Sequence, residues 1–173
     1  YNALDAGVDG VQNCIAIGSA ALGALTASGG TTGTGPSIAI GYNALAGAVS
    51  GINNIAIGEA TADAITSGYR NIAIGCNSFG AATTGCWNLA IGGNAMGEGV
   101  TTGNDNIAVG RNSADALTSG ACNIAMGLNA LGAATDNCDN IAIGQSALAA
   151  SVNDGDNNVA IGKTAMGGAD VSG

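Results

Sequence analysis

The sequence has little of what most enzymes and most globular domains depend on. It contains no histidine, one proline, 3% aromatic residues and 9% charged residues. Without histidine, the commonest general base and the commonest transition-metal ligand are both missing, and no catalytic motif or marked pair of carboxylates replaces them. We therefore expect no enzymatic activity, no cofactor, and a narrow core filled by small and medium side chains.

Positive charge is also scarce, which limits the partners that the chain can bind. Three Lys and Arg residues stand against twelve Asp and Glu, giving a net charge of −9. So few basic groups cannot neutralise a phosphate backbone, and we expect no nucleic-acid partner.

Long apolar runs and a signal-peptide pattern are absent as well. No stretch approaches the roughly 18 to 20 apolar residues that span a bilayer, so we expect no membrane insertion by this segment. The sequence does not begin with Met, and we expect any targeting or anchoring segments to lie outside it.

Glycine, in contrast, is abundant, and much of it belongs to an internal repeat. The tetrapeptide Ile-Ala-Ile-Gly or a close variant occurs nine times. Successive copies are mostly 17 residues apart, with one interval of 23 and two of 18. The glycines that close the copies are Gly18, Gly41, Gly58, Gly75, Gly92, Gly110, Gly127, Gly144 and Gly162.

This repeat predicts an all-β fold, a parallel β-solenoid (β-roll) of about nine to ten coils of 17 residues. A unit this short cannot bury its own apolar face and must stack on its neighbours. A helical array is disfavoured, because each of the two or three glycines per repeat costs about 0.8 to 1 kcal/mol in a helix. We expect residues 1–173 to form one array, with a partial coil at 1–13, an insertion at 28–36 that loops out, and one-residue insertions near Gly103 and Gly155. The full coils are expected to start near residues 14, 37, 54, 71, 88, 106, 123, 140 and 158.

The first position of the repeat, just before the tetrapeptide, is Asn in seven copies and Cys or Ser in the first two. One Asn could simply start a turn, but seven in register favour side chains that hydrogen-bond from coil to coil. The residues of the predicted ladder are Asn54, Asn71, Asn88, Asn106, Asn123, Asn140 and Asn158.

Positions 2 to 5 of the repeat predict a strand that ends in a turn. Because strand side chains alternate between faces, we expect the aliphatic residues to form a buried ridge and the alanines a flat outer surface. The closing glycine is expected where φ is positive or where another backbone passes close by. An apolar residue at position 9 should close the core opposite this strand. Later turn residues are expected in the left-handed conformation: Gly51, Gly68, Gly85, Gly103, Gly120, Asn137 and Gly155.

The tetrapeptide with its preceding small residue, as in Ser37-Ile38-Ala39-Ile40-Gly41, resembles the head repeats of trimeric autotransporter adhesins. The longer pattern Asn-Ile-Ala-Ile-Gly-x-x-Ala-Leu, followed by Thr-Thr-Gly, is similar to repeats of phage tail fibres and related surface proteins. The resemblance covers nearly the whole chain and implies a homotrimeric β-roll fibre. The adhesin repeats are shorter than 17 residues, and no heptad stalk or anchor is found here.

Cysteines and acidic residues supply the other candidate sites. The cysteines do not share a column in adjacent coils and form no CxxC pair, so they are either unlinked thiols or links to another chain: Cys14, Cys76, Cys86, Cys122 and Cys138. Acidic residues cluster in late turns at Asp136, Asp139, Asp154 and Asp156. Calcium could bind there, although solvated turn residues are the simpler interpretation.

The functional hypothesis is a structural and adhesive segment of an extracellular or virion fibre that displays its turns for attachment to a host receptor or glycan. Trp87 and Tyr69 lie in or near such turns, where they could contact a ligand or pack locally. The alternatives are a self-assembling extracellular filament and an ice-binding solenoid. The ice-binding alternative is weak, because the adjacent threonines at 83–84 and 101–102 should point to opposite faces.

Overall fold

The structure is a computed structural model that describes residues 13–23, 36–47, 50–150 and 155–168. Nine strands of three residues each form one parallel sheet in sequential order, one strand from each coil. The predicted β-solenoid is confirmed. The predicted partial coil, apart from residue 13, and the predicted loop insertion, apart from residue 36, lie outside the described residues. The strands are β1 (Ile15–Ile17), β2 (Ile38–Ile40), β3 (Ile55–Ile57), β4 (Ile72–Ile74), β5 (Leu89–Ile91), β6 (Ile107–Val109), β7 (Ile124–Met126), β8 (Ile141–Ile143) and β9 (Val159–Ile161).

The strands pair in exact repeat register, so that each residue lies beside its counterpart in the next coil. Ala56 pairs with Ala73, and Ala73 with Ala90. The ladder of backbone hydrogen bonds continues past the strands: the N–H of Gly92, after β5, donates to the carbonyl of Ile74 in β4 at 2.8 Å. Because the repeats are 17 residues apart, each repeat position stacks on the same position of the next coil, as expected for a solenoid.

The alanine at the centre of each strand points into the coil, and the two aliphatic side chains beside it point outward. Ala56, Ala90 and Ala125 are fully buried, whereas both flanking positions are partly buried or exposed in all nine strands. The prediction of a buried aliphatic ridge is therefore wrong. The reason is space: the interior also holds the larger side chains of position 9, so only a methyl group fits on the strand side.

The wall opposite the sheet is a turn rather than a second strand. In the coil that begins at residue 71, Asn77 and Phe79 have φ values of 52° and 55°. Their N–H groups point in opposite directions along the stack, Asn77 to Glu59 in the coil before and Phe79 to Ala95 in the coil after. Phe79 is fully buried and, with the equivalent Leu and Met residues, forms most of the bulky core: Leu22, Leu45, Met96, Leu131 and Leu148.

One of the two expected one-residue insertions lies within the described residues, and it forms a bulge earlier in the coil than predicted. The N–H groups of Glu98 and Gly99 both donate to the carbonyl of Asp115, at 3.0 and 2.7 Å. Two residues of one coil thus face one residue of the next, which is the arrangement of a β-bulge. By Gly103 the stack is back in register. Residues 151–154, before the insertion expected near Gly155, lie outside the described residues.

The late-turn glycines differ from the prediction. Those at 51, 68, 85, 103 and 120 do not have positive φ values; the left-handed residue lies two positions later, as at Trp87 with φ 62°. Glycine is favoured at most of these positions because the next coil is close. A Cβ at Gly85 would lie 2.7 Å from the carbonyl oxygen of Gly103 and 3.0 Å from Nδ2 of Asn88.

Candidate functional site

The asparagines of position 1 form a continuous buried ladder of side-chain hydrogen bonds. Nδ2 of Asn106 donates to Oδ1 of Asn88 at 3.1 Å and to the carbonyl of Gly120 at 2.9 Å. Oδ1 of Asn106 accepts from the backbone N–H and from Nδ2 of Asn123, each at 3.0 Å. The side chain thus links three coils, and its polar atoms are used within the protein. Its role is structural rather than ligand binding.

The same pattern runs through all seven predicted asparagines, from residue 54 to residue 158. Side-chain contacts join each successive pair at 3.0 to 3.3 Å. At the start of the ladder, Oγ of Ser37 accepts the N–H of Asn54 at 3.2 Å. The ladder members from Asn54 to Asn140 are buried. The interior of the rod therefore contains a polar spine beside its apolar core.

The closing glycines are required for two reasons together. All nine predicted glycines have φ between 123° and 139°, a region that L side chains rarely adopt. In addition, a Cβ at Gly92 would lie 2.6 Å from the carbonyl oxygen of Gly110. These residues position the turn and the coil spacing; they offer no side chain to a ligand.

The outer faces of the nine strands form a continuous apolar surface, which we term the outer aliphatic face. It consists of the first and third residues of β1 to β9. Ile72 is 38% exposed, Met126 40% and Ile161 67%. The sequence pattern had a usable signal for this orientation: the central alanine is the same in all nine copies, whereas the flanking positions vary among Ile, Leu, Val and Met. A position without variation among repeats indicates tight packing.

Tyr69, Arg70 and Trp87 form a cluster on the late turns of two adjacent coils, which we term the aromatic corner. The Arg70 guanidinium carbon lies 4.4 Å from the Trp87 ring centroid and 5.9 Å from that of Tyr69. The two rings meet edge to face, with centroids 6.4 Å apart. Trp87 remains 51% exposed and Tyr69 41%. The aromatic residues singled out in the sequence are thus together, and they are accessible.

The five predicted thiols are scattered over different environments. Cys76 and Cys122 are exposed, Cys86 is buried, and Cys14 and Cys138 are intermediate. Cys76 and Cys122 are therefore the cysteines most accessible to another chain.

The thiol of Cys122 lies among acidic groups. Loss of water around the sulfur, the carboxylates of Asp139 and Asp105, and the thiol of Cys138 all raise the pKa of Cys122 above its ordinary value. Because the thiolate is the reactive form, Cys122 is held mainly as the unreactive thiol at neutral pH.

The predicted calcium residues do not converge in the described part of the chain. Asp154 lies outside it, and no three His, Cys, Asp or Glu side chains within it form a metal-binding group. The carboxylate of Asp156 accepts the N–H of Cys138 at 2.6 Å, and Asp136 accepts the hydroxyl of Thr135 at 3.4 Å. Asp136 thus bonds within its own turn, and Asp156 joins its turn to that of the preceding coil.

Two other acidic residues lie in a more buried setting. Burial raises the pKa of Asp63, and burial together with the charge of Glu98 raises the pKa of Asp115. Both residues occupy the same repeat position, just after a position-9 core residue that is Ala in these two coils (Ala62 and Ala114), and neither was indicated by the sequence.

The two threonines of a neighbouring pair differ in exposure. Thr101 is fully buried while Thr102 is exposed, so this pair does not present two hydroxyls on one face.

Within the described ranges there is no helix long and apolar enough to cross a membrane. No protein-family model, no curated protein and no solved structure matches the chain, so function is inferred from geometry and sequence pattern.

Proposed function

We propose that the chain is a stiff segment of an extracellular or virion fibre, in which copies associate through the outer aliphatic face and the turns are displayed for attachment. The observation that carries this proposal is the size and continuity of that face. Nine strands about 4.8 Å apart, each contributing about 10 Å of length, give a surface of roughly 38 by 10 Å. An apolar patch of this size on a soluble protein is often an interaction site.

A second copy of the chain is the partner that fits this surface best. The face is periodic at the strand spacing, and the outward side chains are almost all β-branched or otherwise aliphatic. A flat, periodic, uncharged surface packs closely only against another surface with the same spacing. Another copy provides that spacing without any further adjustment, which favours a homotrimer or a filament of identical chains.

The rod itself is suited to giving reach and stiffness. Hydrogen bonds join each coil to the next through the strands, the turns and the asparagine ladder. Bending the rod would require many of these hydrogen bonds to break between the same two coils. Resistance to heat and to proteases is the expected physical property, because few backbone groups become accessible unless several coils open together.

The extracellular or virion location and the attachment role are supported by the resemblance of the repeat to adhesin heads and tail fibres. The turns are where such attachment would occur in this molecule. They carry the exposed aromatic residues and the exposed charges, whereas the strands repeat with little change.

The mass of the native particle tests the assembly. Light scattering should give a multiple of the 16.3 kDa chain mass, three chains for a trimer or a concentration-dependent series for a filament. Electron microscopy of the same sample separates the two, and a parallel reduced sample shows whether thiols contribute.

A matched pair of variants locates the interface. Ile72→Lys combined with Ile107→Lys puts two charges on the outer aliphatic face at exposed positions and should yield monomers. Val100→Lys adds a charge at a turn residue that is 53% exposed and should leave the assembly intact. A wild-type monomer at every concentration would contradict the proposal.

A further inference from the structure

The aromatic corner departs from a rule that most of the stack follows. The residue that precedes position 1 of the next coil has φ near 60° in eight of the nine described copies, Pro36 being the exception. Five copies place Asn or Asp there, the residues that tolerate this conformation best: Asn13, Asn53, Asp105, Asp139 and Asn157. Arg70, Trp87 and Cys122 occupy the same position with φ values of 58°, 62° and 60°.

Exposure distinguishes this corner from the other left-handed sites that carry bulky side chains. At position 9, Phe79 and Leu45 adopt the same conformation but are fully buried in the core. Trp87 is 51% exposed, beside Tyr69 at 41%. Trp, Tyr and Arg are the residues most enriched among those that carry the energy of binding surfaces.

The backbone holds the three side chains in a defined arrangement. The N–H of Trp87 donates to the carbonyl of Tyr69 at 3.2 Å, and the N–H of Arg70 donates to the carbonyl of Ile52 at 3.0 Å. The cluster thus stands on the stacked coils rather than on a free loop. Two partly exposed rings and one guanidinium lie together at the surface, with the guanidinium over the Trp87 ring.

The chemistry of these groups defines the ligand. The negatively polarised face of an aromatic ring attracts the C–H groups on the flat side of a sugar ring. A guanidinium forms two parallel hydrogen bonds with a carboxylate. Three side chains form a surface far smaller than the roughly 800 Å² per partner of a stable protein interface, and a small ligand fits it better.

We propose that the aromatic corner binds a saccharide that carries a carboxylate, of the sialic-acid or uronic-acid type. The inference rests on the proposed function, since it names what the displayed turns attach to, but a single chain contains the whole site. Binding to one site is weak, because the chain carries a net charge of −9. Copies in a fibre would strengthen attachment by engaging several saccharides at once.

Intrinsic fluorescence tests the site directly, because Trp87 is the single tryptophan of the chain. The wild-type protein should show a saturable change with 3′-sialyllactose or with digalacturonic acid, and the comparison of the two identifies the acidic sugar. Neutral lactose should bind at least tenfold more weakly, and acetate alone should give no saturable change.

Two arginine variants distinguish a specific contact of the Arg70 guanidinium from a general effect of positive charge. Arg70→Gln should reduce affinity for the acidic sugar at least tenfold and remove the preference over lactose. Arg111→Gln removes the same charge from another exposed position and should leave binding unchanged. Tyr69→Ala should weaken binding while the Trp87 signal is retained.

The proposal is overturned if neither acidic sugar changes the fluorescence, if lactose or acetate binds equally well, or if Arg70→Gln binds like the wild type. Light scattering on the same samples keeps this result apart from the fibre proposal. If the protein is a monomer that binds the acidic sugar, the site proposal stands and the fibre proposal fails. If it is a trimer that does not bind the sugar, the fibre proposal stands and the site proposal fails.

Discussion

At the scale of single residues, the asparagine ladder shows how one side chain holds three coils together. Buried carboxamides are costly unless all their polar atoms are paired, and Asn106 achieves this through both neighbours. The same side chain satisfies a turn carbonyl that the coil leaves without a strand partner. A polar residue thus replaces part of the backbone ladder at the corner of each coil.

We expect Asn106→Ala to lower the free energy of unfolding by roughly 2 to 4 kcal/mol, because buried donors and acceptors in adjacent coils lose their partner. Urea unfolding followed by circular dichroism measures the change. Ser119→Ala, an exposed substitution in the same coil, should have almost no effect. An equal loss in both variants would show that the ladder contributes nothing specific.

The ladder could be predicted from sequence because seven asparagines recur in register with one simple bonding pattern. The orientation of the strand could not be derived from hydrophobicity, because Ala and Ile are both apolar and alternation alone does not tell which face is inside. Steric space decided it, and that space depends on the bulky residues of position 9, such as Phe79. The aromatic corner could be predicted only by placing residues 69 and 87 on neighbouring coils. The repeat length gives that placement once the solenoid fold is known.

At the scale of the structural element, each coil is a three-residue strand followed by a tight turn. The turn is possible because the closing glycine adopts φ values that other residues avoid and lets the next backbone approach. The closing glycine could be predicted from the sequence for these two reasons, the positive φ and the close approach of the next backbone. The left-handed Phe79 and its equivalents could not be, since bulky residues rarely adopt that conformation. Only the Asn at position 7 in several copies hinted at it.

Gly92 and Gly93 provide a direct test at this scale. Gly92→Ala should disrupt the coil and lower the free energy of unfolding by at least about 3 kcal/mol, because a positive φ and a clash with the Gly110 carbonyl coincide. Gly93→Ala should be nearly neutral, since its Cβ would meet only the carbonyl of Cys76, at 3.9 Å. Thermal unfolding of the two variants measures the contrast, and similar melting temperatures would refute this account of the turn.

At the scale of the whole molecule, the rod combines an excess of negative charge with two partly buried carboxyl groups. Asp63 and Asp115 have pKa values raised from the ordinary 3.8 by burial, and Asp115 also by Glu98. Both bind a proton more tightly in the folded chain than in the unfolded chain. Stability therefore falls as pH rises from 3.8 through the raised folded values, and the fold is favoured on the acidic side of that range.

The melting temperature should accordingly rise as the pH is lowered from 7 toward roughly 4. Asp115→Asn should stabilise the protein at pH 7 by a few tenths of a kcal/mol, the size of one like-charge contact between neighbouring strands, and should flatten the pH dependence. Asp136→Asn, which removes an exposed charge, provides the control. A melting temperature that falls on mild acidification, or an Asp136→Asn effect as large as that of Asp115→Asn, would argue against this assignment.

The exact register of the strands has one more consequence. Since every coil pairs with its neighbour through equivalent residues, duplicating a coil inserts a new neighbour contact of the kind already present. Each duplication lengthens the rod by one strand spacing, about 4.8 Å, and leaves the rest of the stack unchanged. The length of the rod is therefore set by the number of repeats. Unequal recombination between repeats can change that number without the evolution of a new interface.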